Sequence, residues 1–201
     1  MQYASTMTER VKQTGLFNTP PPETHRLFFA LMPDEPVRYR IQQAARSLAE
    51  QHPELRARWT RPERFHATLN FLGDYPQLPM ELVTLAKLAA DNVHAPSFAW
   101  TLDYVASFRG REPPCVLRGS MVPPLLLSLW QEVEQALAQI GVHRRAERPF
   151  TPHVTLAYAR RELPQSVPVE PISWQVQHLL LIHSVVGKGH YQLLGRWPLA
   201  S

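Results

Sequence analysis

A single cysteine, Cys115, stands among 201 residues. That rules out an internal disulfide and any zinc site built on several thiolates. No apolar run approaches the roughly 20 residues that a membrane-spanning helix needs, and residues 1–24 lack the hydrophobic block of a secretory signal. A soluble protein in a reducing, cytoplasmic setting is therefore expected. Three signatures of common enzymes are missing too. There is no His-Glu-x-x-His for a catalytic metal and no Gly-x-Ser-x-Gly nucleophile elbow, and Gly187-Lys188-Gly189 is no P-loop because position 182 is Ile.

What is present suits an ordinary globular chain: 44% hydrophobic and 19% charged residues, enough for a sizeable core. The net charge of +4 is modest, but the pI near 9.5 leans toward an anionic partner such as a phosphate or an RNA end. The 20 prolines fall mostly where the apolar pattern already breaks, so they stiffen connections.

Residues 1–25 are polar and contain Pro20-Pro21-Pro22, which predicts a flexible leader before a single domain over 26–201. Leu27-Phe28-Phe29-Ala30-Leu31 reads as a buried strand, followed by a helix that starts at Pro33-Asp34 and runs to about Glu50. Val37, Ile41, Ala45 and Leu48 form its apolar stripe. A second helix is predicted near 79–92 on Leu82, Leu85 and Ala89. A third, near 124–140, uses Leu126, Trp130, Val133, Leu137 and Ile140 and ends at Gly141. Strands are predicted at 65–71, 98–108, 114–119, 152–159, 173–186 and 190–197, with Gly187 and Gly189 in a hairpin turn between the last two. This order suggests two similar halves, each a small sheet with helices outside, an α+β arrangement.

The tetrapeptide His66-Ala67-Thr68-Leu69 returns as His153-Val154-Thr155-Leu156. A strand sends alternate side chains to opposite faces, so each His shares a face with its Thr while apolar residues line the other. On regular alternation Asn70 joins the polar face, and Phe71 and Tyr158 join the core. A lone His-x-Thr is usually a satisfied histidine beside a threonine that favours strands. Two copies with the same flanking polarity point instead to a shared cleft. An imidazole titrates near pH 6.5, so one can serve as base and the other as acid on a phosphodiester, while the hydroxyls of Thr68 and Thr155 donate to non-bridging oxygens.

Arginines precede both motifs: Arg56, Arg58, Arg61 and Arg64 before the first, and Arg144, Arg145 and Arg148 before the second. Such runs are commonly solvated loops. Flanking a cleft, they would attract a polyanion, with Trp59 and Phe150 as candidates to stack on a base.

These residues resemble a known group. Arg26-Leu27-Phe28-Phe29-Ala30-Leu31 with Pro33, Arg61-Pro62-Glu63 before His66-Ala67-Thr68-Leu69, then Phe71-Leu72-Gly73, Pro152-His153-Val154-Thr155-Leu156, and a tail with Ser184, Gly189, Tyr191 and Trp197-Pro198-Leu199 are similar to the two-histidine (2H) phosphoesterases. Within that group the likeness is to the RNA 2′,3′-cyclic phosphodiesterases, also called 2′-5′ RNA ligases. The resemblance implies a bilobal α+β fold with two pseudo-symmetric, mostly antiparallel sheets, helices on the outer faces and both motifs in a central cleft. It implies hydrolysis of an RNA or nucleotide 2′,3′-cyclic phosphate to a 2′-phosphate, with no metal; no cofactor and a monomer are expected. His66 would be the proton donor and His153 the proton acceptor. Relatives often carry a phosphate-holding arginine three positions after the second threonine, where this chain has Tyr158; nearby Arg160 has core-facing parity on a regular strand. Joining or cutting 2′-5′ linkages, and noncatalytic binding of nucleotides or RNA ends, are the alternatives that the same cleft would serve.

Overall fold

The computed structural model describes residues 23–142 and 150–200. The leader positions 1–22 and the arginines Arg144, Arg145 and Arg148 lie outside them. Among the described residues, nine strands and three α-helices follow in the order β1 (His25–Leu31), α1 (Glu35–Gln51), β2 (Arg58–Trp59), β3 (Ala67–Tyr75), α2 (Met80–Asp91), β4 (Phe98–Ser107), β5 (Pro114–Arg118), α3 (Pro124–Gln139), β6 (Val154–Tyr158), β7 (Val167–Val176), β8 (His178–Val185) and β9 (Tyr191–Pro198).

They form two antiparallel sheets, one ordered β3-β1-β8-β9 and the other β2-β6-β5-β4-β7. The expected α+β class is what the chain adopts. The lobes are not sequential halves, however. Strands from both ends of the described chain build the first sheet, and the second takes β4 to β7 together with the short β2, which lies between β1 and β3 in the chain. The predicted strand over 173–186 is two strands in different sheets, because the chain leaves β7 at Val176, turns at Gln177 and enters β8 at His178.

Local chemistry explains the helices. The Asp34 carboxylate accepts the Val37 amide at 3.1 Å and Pro36 sits in the first turn, so α1 starts where its cap stands. Its stripe of Val37, Ile41, Ala45 and Leu48 is buried as expected. The α2 stripe is rotated from expectation: Val83, Ala86, Ala89 and Ala90 are buried, and Leu82 and Leu85 only half so. Gly141, at φ 82°, ends α3, with the Val142 amide reaching back to the Leu137 carbonyl. Trp130 of that helix is stacked on Phe150 at 5.2 Å, and Trp59 packs on the main core, so neither Trp59 nor Phe150 is a free stacking platform.

One face of each sheet enters a continuous core with the helices; the other carries the motifs. On the first sheet that second face holds a small cluster of Phe28, Ala30, Leu180 and Ile182, with Met32, Phe71 and Tyr191 against it.

Candidate active site

Each His-x-Thr runs into a β-bulge at the same motif position. In β3, Asn70 pairs with Phe29 and Thr68 with Ala30, leaving Leu69 as the extra residue. In β6, Ala157 pairs with Cys115 and Thr155 with Val116, leaving Leu156 extra. A bulge inserts one residue and reverses the alternation beyond it. Asn70 therefore turns into the core, where it is buried and donates to the Glu134 carboxylate of α3 at 2.6 Å. Phe71 and Tyr158 come out on the histidine face.

Both placements correct the regular alternation expected from sequence. Tyr158 is 39% exposed and lies under the Arg58 guanidinium, 5.1 Å from its ring centre. Arg160 is exposed, not core-facing. Tyr158→Ala is accordingly expected to change stability by less than about 1 kcal/mol. A melting experiment showing a core-sized loss of about 3 kcal/mol contradicts this placement.

A second bulge, at Leu72, returns the parity and explains Phe71-Leu72-Gly73. Gly73 takes φ 141°, and a Cβ there would lie 2.6 Å from the Tyr75 hydroxyl. Asp74 then faces Arg26, which it grips with two hydrogen bonds at 2.8 and 3.0 Å. The Arg26 guanidinium also sits 5.6 Å over the Phe71 ring.

The two imidazoles are held alike. Nδ1–H of His66 donates to the Arg64 carbonyl at 2.8 Å, and Nδ1–H of His153 donates to the Thr151 carbonyl at 2.7 Å. In the neutral rings this leaves the lone pair on Nε2. An aromatic ring backs each one: Phe28 lies 5.1 Å from His66, and Phe108 lies edge-on 4.9 Å from His153. Tyr191 adds a second wall to His66, edge-on at 5.3 Å, with its hydroxyl 3.3 Å from Nδ1. Arg64 lies over the Tyr191 ring at 4.8 Å.

One electrostatic link runs from the second motif to the first. Burial pushes the His66 imidazole down to about 4, against the hydrogen bond to Arg64, and the charges of His153, Arg64 and Arg26 add to the fall. Burial also lowers His153, with the Arg118 charge contributing. Charge reaches across the cleft at a second place, where Tyr158 acts on Arg26 and on Tyr191. Burial disfavours the charged form of each ring, and the charge of His153 further disfavours that of His66. Thr68 and Thr155 stand one strand step along, half-buried on the same faces.

Sequence reasoning passed over Arg118 and left Arg26 and Tyr191 without a role. Arg26 opens a strand whose next same-face residue is Phe28, which was the available signal. Arg118 and Tyr191 reach the cleft only through pairing of remote strands. Among the described residues no three His, Cys, Asp or Glu side chains gather as a metal site would need, and no helix is long and apolar enough to cross a membrane.

The family of LigT-like phosphoesterases matches residues 31–117, a span that contains the first motif and ends before the second. An RNA 2′,3′-cyclic phosphodiesterase of Geobacillus stearothermophilus is 28% identical over 150 residues, covering 70% of this chain and 47% of that protein. The chain thus spans about half the length of that relative. The crystal structure of E. coli LigT complexed with 3′-AMP matches with a TM-score of 0.72 at 27% identity, over 89% of this chain and 100% of that one. A Thermus thermophilus protein shares the fold, with a TM-score of 0.66 at 24% identity over 87% and 97% of the two chains.

Proposed function

We propose, for a chain that belongs to the LigT-like branch of the two-histidine phosphoesterases, that its reaction is metal-independent hydrolysis of a 2′,3′-cyclic phosphate on RNA or a nucleotide to a 2′-phosphate. The observation that carries this is the matched pair of imidazoles. Both are locked through Nδ1 on a backbone carbonyl, so each has Nε2 for the substrate, and the charge of His153 acts on His66. The relative's name, RNA 2′,3′-cyclic phosphodiesterase, supports the substrate class.

In this reading neutral His153 accepts a proton from water at Nε2 as the water oxygen bonds to phosphorus. The bond from phosphorus to the 3′-oxygen breaks, and protonated His66 delivers its Nε2 proton to that oxygen. Each role is typically worth about 10²- to 10⁴-fold. The substrate anion, once against Nε2, favours the charged form of His66 that the desolvated cleft otherwise resists. Thr68 and Thr155 donate to the non-bridging oxygens, where charge accumulates. Both histidines come from one chain, so a single copy suffices, and the lone reduced Cys115 suits a cytoplasmic setting.

The test is incubation with a 2′,3′-cyclic nucleotide in EDTA, with identification of the product. A 2′-phosphate is expected; a 3′-phosphate, or no turnover until metal is added, overturns the reading. Thr68→Val and Thr155→Val should each cost less than either histidine, because water or a backbone amide replaces one neutral donor. If a threonine variant loses as much kcat as a histidine variant, the dominant stabiliser has been misassigned.

A further inference from the structure

The pseudo-symmetry of the cleft fails at one position. Leu31 pairs with Ala67 and Leu117 with Val154, so one step further Met32 stands beside His66 and Arg118 beside His153. Strand partners share a face, which puts the Arg118 side chain on the histidine side of β5. Where one half carries an apolar side chain, the equivalent position of the other carries a guanidinium. Resting on the hydrolase reading, we propose that Arg118 is the cation that grips the non-bridging oxygens of the scissile phosphate beside His153.

The surroundings of Arg118 favour an anion arriving from outside. Its guanidinium lies 5.5 Å over the Tyr104 ring, which holds it in place without neutralising it. Its Nε is buried and has no hydrogen-bond partner among the described residues. No carboxylate there forms an ion pair with it. A buried donor left without an acceptor costs free energy until something accepts from it. A phosphate oxygen does so with the charge and the planar fork geometry that arginine matches.

The other cleft arginines are placed differently. Arg26 is held by the Asp74 carboxylate, Arg58 lies on the exposed Tyr158, and Arg64, whose Nε is likewise without a partner, bonds the Tyr191 hydroxyl at 3.4 Å on the His66 side. Arg118 would thus supply the charge that Tyr158 does not. Its charge also disfavours protonation of His153, which keeps the base neutral before the substrate binds.

Inorganic phosphate is the probe, read by NMR on the full chain, because this binding needs no turnover. In the unaltered protein the Arg118 Nε–H resonance should shift with phosphate on the same curve as the His153 ring. A resonance that stays put at saturating phosphate overturns the proposal. Arg118→Met, which copies Met32 of the other half, should weaken phosphate binding at least about tenfold, raise KM for a 2′,3′-cyclic nucleotide, and raise the pKa of His153. Arg118→Lys should recover part of all three. A folded Arg118→Met protein that binds phosphate within twofold of the original overturns the proposal; should that variant not fold, the resonance shift in the unaltered chain decides. Phosphate held through Arg118 without hydrolysis of any cyclic nucleotide supports this assignment and defeats the hydrolase reading, so the two fail separately.

Discussion

His66→Ala and His153→Ala are each expected to lower kcat on a 2′,3′-cyclic nucleotide at least about 10²-fold while leaving the fold intact. The fold should survive because neither ring belongs to the main hydrophobic core and each hydrogen-bonds a nearby backbone carbonyl. The double replacement should cost little more than the worse single one, since neither proton transfer proceeds usefully without the other. The unaltered protein should show a bell-shaped kcat/KM against pH, with one histidine charged and the other neutral. Both pKa values in the free protein are lowered from 6.5, so the maximum should lie on the acid side of that value. A profile flat between about pH 5 and 8, or a histidine variant retaining a third of the rate, contradicts the assigned pair.

The same burial makes His66 costly to keep in acid, and this gives the second large effect. In the unfolded chain the imidazole titrates near 6.5; in the folded cleft it is pushed down to about 4. Above 6.5 both states hold a neutral ring, so the native state bears no protonation penalty. As pH falls from 6.5 toward 4, the unfolded chain takes up a proton that the folded chain refuses, and stability drops by at most about 3 kcal/mol through this residue. His66→Asn removes the titration. The variant should lose catalysis and yet lose less stability between pH 7 and 4.5, by about 2–3 kcal/mol, in urea unfolding at the two pH values. Equal losses in the two proteins would mean that the folded ring titrates as the unfolded one does.

The helices and the motif strands were legible because they are local. The α1 stripe, the Asp34 cap, the glycine turn before β9 and the polarity of His66-x-Thr68 and His153-x-Thr155 each lie within a few residues. What sequence alternation missed was non-local. The extra residues Leu69 and Leu156 look like ordinary strand leucines, and only the pairing with β1 and β5 makes them bulges. Through them Asn70 went to the core and Tyr158 to the cleft, against regular parity. The sheet change at Gln177 was hidden because apolar residues continue on both sides of it. Arg118 became visible only once β5 lay beside β6.

Everything rests on His66 and His153 serving one phosphate. Titrating the protein with inorganic phosphate while following the Nε2 resonances of both rings tests that most directly. Both should shift along one binding curve with a single Kd, and replacing either histidine should weaken the response of the other. Two curves with different midpoints, or one ring unmoved at saturation, would place the histidines in separate sites and contradict the shared cleft.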